Sequence, residues 1–235
     1  MLPELGPLSW QDRLQQMEIT DRLEATDVTA SCLSNRHPSQ PAMLQALKRM
    51  IQANAPDILE HGERTARYAL ALGNEIDLSG DELTDLRYAA LLHDFGKLTL
   101  PKAILLKDGA LTADEYALVQ SHPRAGAKLL EPIPFLQAAA VLIAHHHERW
   151  DGSGYPYGLR GSFIPLGSRI LAVADTFDVL TSSYSHGQSQ SPDIVFRLLQ
   201  VVAGSQLDPD LVELFTRLAP ALYASHGIGG AVGAD

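Results

Sequence analysis

The chain contains a set of histidine and aspartate residues, on or beside short apolar segments, that could hold metal ions. Two pairs are adjacent in the sequence, namely His93-Asp94 and His146-His147. The other members are His61, His122 and Asp175, with Asp57 as an optional eighth. A buried imidazole or carboxylate is costly unless it is paired or bound to a cation, so a shared metal centre would satisfy these groups together. Histidine and aspartate suit iron, manganese or zinc better than magnesium or calcium.

The alternative is that these residues are ordinary packed or solvated side chains. His37 and His226 lie in loop-like sequence and are interpreted as solvated. His61 alone, early in an amphipathic helix, would also favour a structural role. Asp175 is harder to explain in that way, because it ends an apolar run that begins at Ile170 and an unpaired carboxylate there is expensive. The spacing favours a metal site but does not settle it, since no short motif such as His-Glu-x-x-His is present.

The adjacent pairs restrict how such a site could be built. Two consecutive helical residues point about 100° apart, so His146 and His147 would line the edge of a wide site and His145 would face elsewhere. The pair His93-Asp94 lies near a predicted helix end, where adjacent side chains can converge. Asp94 has two carboxylate oxygens and is the natural bridge between two cations.

Hydrophobic periodicity indicates that nearly every segment is helical, so the sequence predicts an all-α fold. Thr112, with Glu115 three residues later, is expected to form a capping box at one helix start. Residues 35–41 have the composition of a linker. We expect His122 and Pro123 to lie inside one helix or at a break in it. The predicted helices are residues 10–23, 43–53, 58–76, 82–93, 112–130, 135–147, 166–181, 192–203 and 209–219.

Composition and charge exclude several functions. The net charge of −10 argues against a long DNA or RNA partner, because proteins that grip a phosphate backbone are normally basic. There is no apolar run of 18 residues, so no membrane span is expected. The first residues lack the basic and apolar regions of a secretory signal. A single cysteine, Cys32, excludes an internal disulfide and fits a cytoplasmic location.

Longer motifs in the chain resemble the HD-GYP domain, a group within the HD-domain metal-dependent phosphohydrolases. The resemblance is carried by HDFGK at 93–97, HP at 122–123 and HHHERWDGSGYP at 145–156. It continues through IPLGSRI at 164–170 and ADTFD at 174–178, and covers about residues 57–219. The twelve-residue stretch that ends in Gly-Tyr-Pro is very specific.

The resemblance implies an HD-type helical bundle that holds two or three divalent metal ions, with iron or manganese expected. It implies hydrolysis of a cyclic dinucleotide, cyclic di-GMP to pGpG and in some members on to GMP, by attack of a metal-bridging hydroxide. Carried over by position, the ligands of one metal are His61, His93, Asp94 and Asp175. The ligands of the other are Asp94, His122, His146 and His147. Asp57 stands where members with three metals carry a glutamate.

The resemblance also assigns residues to the substrate. Lys97 would meet a substrate phosphate, so Asp94 and Lys97 are the predicted catalytic residues. Gly154, Tyr155 and Pro156 form the loop that shapes the rim of the site and is linked in the family to partner contacts. A diguanylate cyclase or another signalling protein is therefore an expected partner, and a homodimer is a further expectation.

The sequence departs from the family pattern after Asp178. Family members carry two basic residues that resemble substrate-phosphate contacts, and this chain has Tyr184 and Gly187 there. Losing one charge-assisted contact typically removes about 1.5–3 kcal/mol. The alternative hypothesis is therefore a metal-binding signalling or adaptor module with little or no turnover.

The predicted domain organisation has three parts. Residues 1–56 form an N-terminal helical extension, residues 57–222 form the HD-GYP domain, and residues 223–235 form a flexible tail.

Overall fold

The computed structural model describes residues 39–107, 109–182 and 192–224. The chain divides into two compact units, residues 1–54 and residues 55–235. In the described part, the first unit contains helix α1 (Gln40–Asn54). The described helices of the second unit are α2 (Pro56–Glu75), α3 (Gly80–Leu92), α4 (Lys102–Leu105), α5 (Ala113–Val119), α6 (His122–Leu130), α7 (Gln137–Ala144), α8 (Leu166–Thr181), α9 (Pro192–Val202) and α10 (Pro209–Ala224). Short 3₁₀ helices span Phe95–Thr99, Pro134–Leu136 and Gly161–Phe163.

The all-α prediction is confirmed. Within the described ranges there is no β-strand, and the one isolated β-bridge joins Ala203 to Leu207. The linker prediction for residues 35–41 is wrong at its end, because Gln40 and Pro41 begin α1. Proline is tolerated there, since the first turn of a helix has no partner for its N–H groups. The predicted helix at 10–23 lies outside the described residues.

Three further predicted helices differ from the structure in ways that have a clear local cause or extent, beyond shifts of one to three residues at other helix ends. The segment 112–130 forms two helices, α5 and α6, because Pro123 lacks the N–H that would continue the first helix. The segment 135–147 is helical only as far as Ala144, and a turn follows. The last helix does not stop at Ala219 but continues through Pro220 to Ala224.

Local sequence accounts for two helix starts. The Ser79 hydroxyl accepts from the backbone N–H of Glu82, and the Glu82 carboxylate accepts from the backbone N–H of Ser79. Thr112 and Glu115 form the same reciprocal pair, so that predicted capping box is confirmed. Each arrangement satisfies two N–H groups that a helix start leaves without partners.

The second unit is organised around α2, which packs against α3, α8 and α10. The Phe177 ring of α8 lies 4.9 Å from the Tyr68 ring of α2 and 5.1 Å from the Phe215 ring of α10, both edge-to-face. Phe196 of α9 stacks on Phe177 at 5.6 Å. This core holds α2 against α8, and His61 of α2 therefore faces Asp175 of α8. Among the described residues, no helix has the length and apolar character that crossing a membrane requires.

The 3₁₀ helix Phe95–Thr99 approaches the start of α6 very closely at Gly96. A Cβ atom at Gly96 would lie 2.6 Å from the backbone nitrogen of Gly126 and still closer to the carbonyl oxygen of His122. Only glycine fits such an approach without displacing backbone. This contact brings Asp94, which precedes the 3₁₀ helix, next to His122.

Candidate metal centre

Six of the predicted ligands form two clusters of three residues. The first cluster contains His61 of α2 together with His93 and Asp94, which follow α3. The second contains His122 at the start of α6 together with His146 and His147, which follow α7. Within each cluster the potential ligand atoms all lie within 4.8 Å of one another. All six residues are buried except His147, which is half-buried.

Asp94 lies between the two clusters. Its Oδ2 atom lies 3.6 Å from Nε2 of His93, and its Oδ1 atom lies 3.3 Å from Nε2 of His122. The seventh predicted ligand joins the first cluster, since Oδ1 of Asp175 lies 2.9 Å from Nε2 of His61 and 3.8 Å from Nε2 of His93. The fold therefore brings all seven residues to one place, with Asp94 facing both groups.

Helix ends fix the orientation of three of these histidines. Each follows the end of a helix and donates from Nδ1 to a carbonyl oxygen of that helix's last turn, which has no partner within the helix. The pairs are His93 with Ala90 at 2.9 Å, His122 with Val119 at 2.7 Å and His146 with Ile143 at 2.7 Å. A carbonyl oxygen can only accept, so Nδ1 carries the proton in each ring. Nε2 is then left with its lone pair directed into the centre.

The Nε2 atoms meet in pairs at the centre of each cluster. The pair His61 and His93 is 3.2 Å apart, and the pair His122 and His146 is 3.3 Å apart. Between His122 and His146 there is no proton to share, because both rings hold their proton on Nδ1. Two converging lone pairs inside a protein are the arrangement that a bound cation satisfies. The donor set therefore fits divalent metal ions.

Burial keeps most of the imidazoles neutral. Burial lowers the pKa of His93, and burial together with the neighbouring rings of His147 and His93 lowers the pKa of His146 well below its ordinary value. Burial and His122 lower the pKa of His147 to about 4. These rings are therefore uncharged near neutral pH, which is the form that binds a metal.

The carboxylates are ionised. Burial alone would raise the pKa of Asp94, but the nearby Lys97 ammonium and His93 hold it well below its usual range. Burial likewise opposes ionisation of Asp175, whereas the hydrogen bond from His61 brings its pKa down to about 2. Burial would lower the pKa of His61, but its bonds to Asp175 and Asp178 raise it to about 9. The ring of His61 thus holds either a second proton or a cation at Nε2.

The expected divergence of His146 and His147 is wrong. Both residues lie in the turn after α7 rather than in the helix, so the 100° rotation between helical neighbours does not apply. Their ring centroids lie 4.1 Å apart, and both face His122. His145 faces elsewhere, as expected, with its Nδ1 on the carbonyl oxygen of Val141 and its ring 5.1 Å from Tyr157.

The predicted substrate-side residues border the centre. The ammonium group of Lys97 lies 2.7 Å from Oδ2 of Asp94, and its side chain is partly exposed. The Tyr155 ring lies 5.0 Å from the His147 ring, and its backbone N–H donates to the carbonyl oxygen of His147 at 3.2 Å. A Cβ at Gly154 would lie 2.6 Å from that same oxygen, so glycine permits the approach of the loop. Pro156 follows in the loop.

One predicted ligand among the described residues, Asp57, is not brought to either cluster. Asp57 is exposed in the first turn of α2, and neither cluster in the described part of the chain includes it. Tyr184 and Gly187 lie outside the described residues. The role of Asp57 as a ligand of a third metal stays a prediction.

Sequence reasoning gave no role to three buried or partly buried residues that support the site. Asp178 accepts from Nδ1 of His61 at 2.7 Å and is held by Arg64 at 2.8 Å and 2.9 Å. Glu148 accepts from the backbone N–H groups of Tyr157 at 2.7 Å and Leu159 at 2.9 Å, and so ties down the loop. The available signal was spacing, since Asp178 follows Asp175 and Arg64 follows His61 by three residues, which is one face of a helix.

A family model described as HD domain matches residues 45–211. The chain is 41% identical over 157 residues to the cyclic di-GMP phosphodiesterase response regulator RpfG of Xanthomonas campestris pv. campestris, covering 66% of the chain and 42% of that protein. It is 35% identical over 178 residues to a cyclic di-GMP phosphodiesterase of Thermotoga maritima. That match covers 75% of the chain and 48% of the Thermotoga protein. The chain thus spans less than half the length of these two relatives.

A solved structure is similar over about three quarters of the chain. The crystal structure of a cyclic GMP-AMP-specific phosphodiesterase of Vibrio cholerae, V-cGAP3, superposes with a TM-score of 0.58 at 26% identity. The match covers 74% of this chain and 48% of that chain.

Proposed function

The chain belongs to the HD domain family, in its HD-GYP group, and from this premise we propose that it is a metal-dependent phosphodiesterase acting on a cyclic dinucleotide. Cyclic di-GMP is the proposed substrate, with pGpG as the first product and GMP as a further one. The observation that carries the proposal is the position of Asp94, whose two oxygens lie 3.6 Å and 3.3 Å from histidine Nε2 atoms of different clusters. One carboxylate facing two sets of ligands suits a bridge between two cations.

The proposed cofactors are two divalent ions, with iron or manganese favoured by the histidine and carboxylate ligands. The first would be held by His61, His93, Asp94 and Asp175, and the second by Asp94, His122, His146 and His147. When bound, two such ions would supply an activated water near neutral pH and would neutralise the charge of a phosphodiester. A third ion beside Asp57 remains part of the proposal.

The chain's own residues bind and orient the substrate in this proposal. Lys97 lies at the edge of the centre and places a positive charge where a non-bridging phosphate oxygen would approach. Tyr155 covers one side of His147 and limits the access of water there. Glu148 keeps this loop in place through the backbone of Tyr157 and Leu159.

The proposed substrate, partners and location have different support. Two relatives are named as cyclic di-GMP phosphodiesterases, and a similar solved structure is named as a cyclic GMP-AMP-specific phosphodiesterase. These names support a cyclic dinucleotide as substrate. A contact with a diguanylate cyclase or another signalling protein, through Gly154, Tyr155 and Pro156, stays a prediction. So do a homodimer and a cytoplasmic location, the latter resting on the single cysteine.

The experiment combines metal analysis with a turnover assay. The protein is purified without oxygen, its metal content is measured, and chromatography follows the hydrolysis of cyclic di-GMP, cyclic GMP-AMP and a simple phosphodiester. We expect about two metal ions per chain and a linear dinucleotide product. Asp94→Ala should lose both metal and turnover, whereas His145→Ala, which removes an imidazole outside the clusters, should keep both. If the metal-loaded protein leaves every substrate intact, the proposal fails.

A second candidate function rests on one observation in the sequence. Tyr184 and Gly187 occupy positions where the family carries basic residues, so two charge-assisted contacts to substrate phosphates are expected to be missing. A metal-binding signalling module with little turnover is consistent with this loss. Calorimetry that detects nucleotide binding without product, or a partner interaction lost on Tyr155→Ala, would favour this function over the phosphodiesterase.

A further inference from the structure

Asp178 is a buried carboxylate of α8 with three hydrogen-bond donors around it. Its side chain is 1% exposed. Oδ2 accepts from Nδ1 of His61 at 2.7 Å and from a terminal nitrogen of Arg64 at 2.9 Å, and Oδ1 accepts from Nε of Arg64 at 2.8 Å. His61 and Arg64 both belong to α2, so this one carboxylate accepts three hydrogen bonds from two residues of the neighbouring helix.

His61 differs from the other oriented histidines in its place along a helix. His93, His122 and His146 follow helix ends and donate from Nδ1 to carbonyl oxygens that those ends leave free. His61 lies inside α2, where the preceding carbonyl oxygens already accept hydrogen bonds of the helix. Its Nδ1 therefore has no free carbonyl oxygen nearby on its own helix, where the Thr65 hydroxyl lies 3.5 Å away, and Asp178 of α8 supplies the closer acceptor at 2.7 Å.

We propose that Asp178, clamped by Arg64, is the positioning residue that aims Nε2 of His61 at a divalent metal ion. The inference rests on the proposed metal centre and deepens it, because it assigns the residues that set the affinity of the first cluster. With Nδ1 bonded to Asp178, Nε2 points to Oδ1 of Asp175 at 2.9 Å and to Nε2 of His93 at 3.2 Å. Metal-ligating histidines commonly depend on such a carboxylate for their orientation and tautomer.

The arrangement requires a carboxylate rather than a carboxamide. Three N–H groups converge on the two oxygens of Asp178, and each oxygen can accept more than one bond. Asparagine would offer one oxygen and an NH₂ group, so an NH₂ would face the donor of either His61 or Arg64. A donor facing Nδ1 would favour the other tautomer of His61, with its proton on Nε2, where the metal binds. Asp178→Asn keeps the shape of the side chain and tests this requirement.

The experiment measures Mn²⁺ binding by calorimetry with the full chain, at fixed pH. Asp178→Asn should weaken one Mn²⁺ site by about 10- to 100-fold and leave the site of the His122 cluster within about threefold. Arg64→Lys, which keeps the charge but has a single donor group in place of the fork, should weaken the same site less than Arg64→Ala does. If Arg64 only packs against its neighbours, the Mn²⁺ affinity is not expected to fall in the order unchanged protein, Arg64→Lys, Arg64→Ala.

Asp208→Asn is the matched control. Asp208 is also a buried carboxylate bonded to an arginine, since its Oδ2 accepts from Arg169 at 2.6 Å, but its other oxygen accepts from the backbone at the start of α10. This variant removes a comparable buried charge and should leave both Mn²⁺ sites within about threefold of the unchanged protein. Thermal unfolding of every variant in the presence of a chelator, monitored by circular dichroism, identifies any variant that does not fold. If Asp178→Asn does not fold, Arg64→Lys tests the inference in its place.

The outcomes separate this inference from the proposed function. If the unchanged protein binds Mn²⁺ and both Asp178→Asn and Arg64→Lys bind it as well as the unchanged protein does, Asp178 is not a positioning residue and the inference is overturned. If Asp208→Asn weakens Mn²⁺ binding as much as Asp178→Asn, the effect is general loss of stability and the inference is again overturned. If the unchanged protein binds no divalent metal, the proposed function fails and takes the inference with it.

Discussion

The Nε2 atoms of His122 and His146 face each other at 3.3 Å, while Nδ1 of each ring donates to a backbone carbonyl oxygen. The two carbonyl groups, of Val119 and Ile143, belong to the last turns of different helices. Helix ends, which leave carbonyl groups without partners, thus select the tautomer that directs a lone pair into the centre. This relationship makes a cation the natural partner of both rings.

Mn²⁺ should stabilise the folded protein. A ligand that binds only the folded state adds about 2.7 kcal/mol of stability when its concentration is 100 times its dissociation constant. We therefore expect the midpoint of thermal unfolding to rise with added Mn²⁺ and to fall with a chelator. His146→Ala should reduce the rise, because its ring is a member of the second cluster. An unfolding midpoint that does not respond to Mn²⁺ or to chelator would contradict the metal centre.

Lys97→Ala should lower turnover while the metal content is retained. A hydrogen bond to a charged group contributes about 1.5–3 kcal/mol, which corresponds to a loss of roughly 10- to 150-fold in kcat/KM for cyclic di-GMP. Lys107→Ala is the control. Lys107 also pairs with a carboxylate, because its ammonium group lies 2.6 Å from Oε2 of Glu115, but this ion pair is at the exposed surface. Equal activity of the two variants would remove Lys97 from the catalytic assignment.

Gly96→Ala should weaken both the fold and the centre. Its new methyl group would lie 2.6 Å from the backbone nitrogen of Gly126, and backbone cannot yield as a flexible side chain does. Overpacking of this kind costs about 1–3 kcal/mol of unfolding free energy, and the shift would move Asp94 away from His122. Urea denaturation and Mn²⁺ titration measure the two effects. Gly80→Ala is the control, because a Cβ there meets nothing within 4 Å, and a comparable loss at Gly80 would contradict the argument.

Glu148→Gln should loosen the Gly-Tyr-Pro loop. The carboxylate of Glu148 accepts from the backbone N–H groups of Tyr157 and Leu159, and a carboxamide can accept at only one of these places. We expect faster hydrogen exchange at these two amides and a loss of about 1–3 kcal/mol of stability, since Glu148 is buried. Glu213→Gln, at an exposed glutamate paired with Arg217, should change neither quantity. Unaltered exchange in Glu148→Gln would show that other contacts hold the loop.

Part of the fold could be predicted because its causes are local. The capping box of Thr112 and Glu115 lies within four residues, and α8 occupies the predicted residues 166–181 because its apolar periodicity is uninterrupted. The boundaries that differ are those where proline or a turn competes with helix periodicity. His145 to His147 follow the apolar run of α7 directly, so no local signal separates them from the helix, and only the packing of the chain does so.

The types of the seven predicted ligands, and the resemblance to the HD-GYP domain, follow from the sequence by itself, since residue identity and motif spacing are written along the chain. Their ligation of metal remains a prediction, although the fold gathers all seven. Only the tertiary structure decided which ring nitrogen faces the centre, because that depends on where helices end. It also decided that Asp178, 117 residues after His61, orients that ring. The three-residue spacings from His61 to Arg64 and from Asp175 to Asp178 place these side chains on one helix face, but the contact between them arises only from packing of α2 against α8.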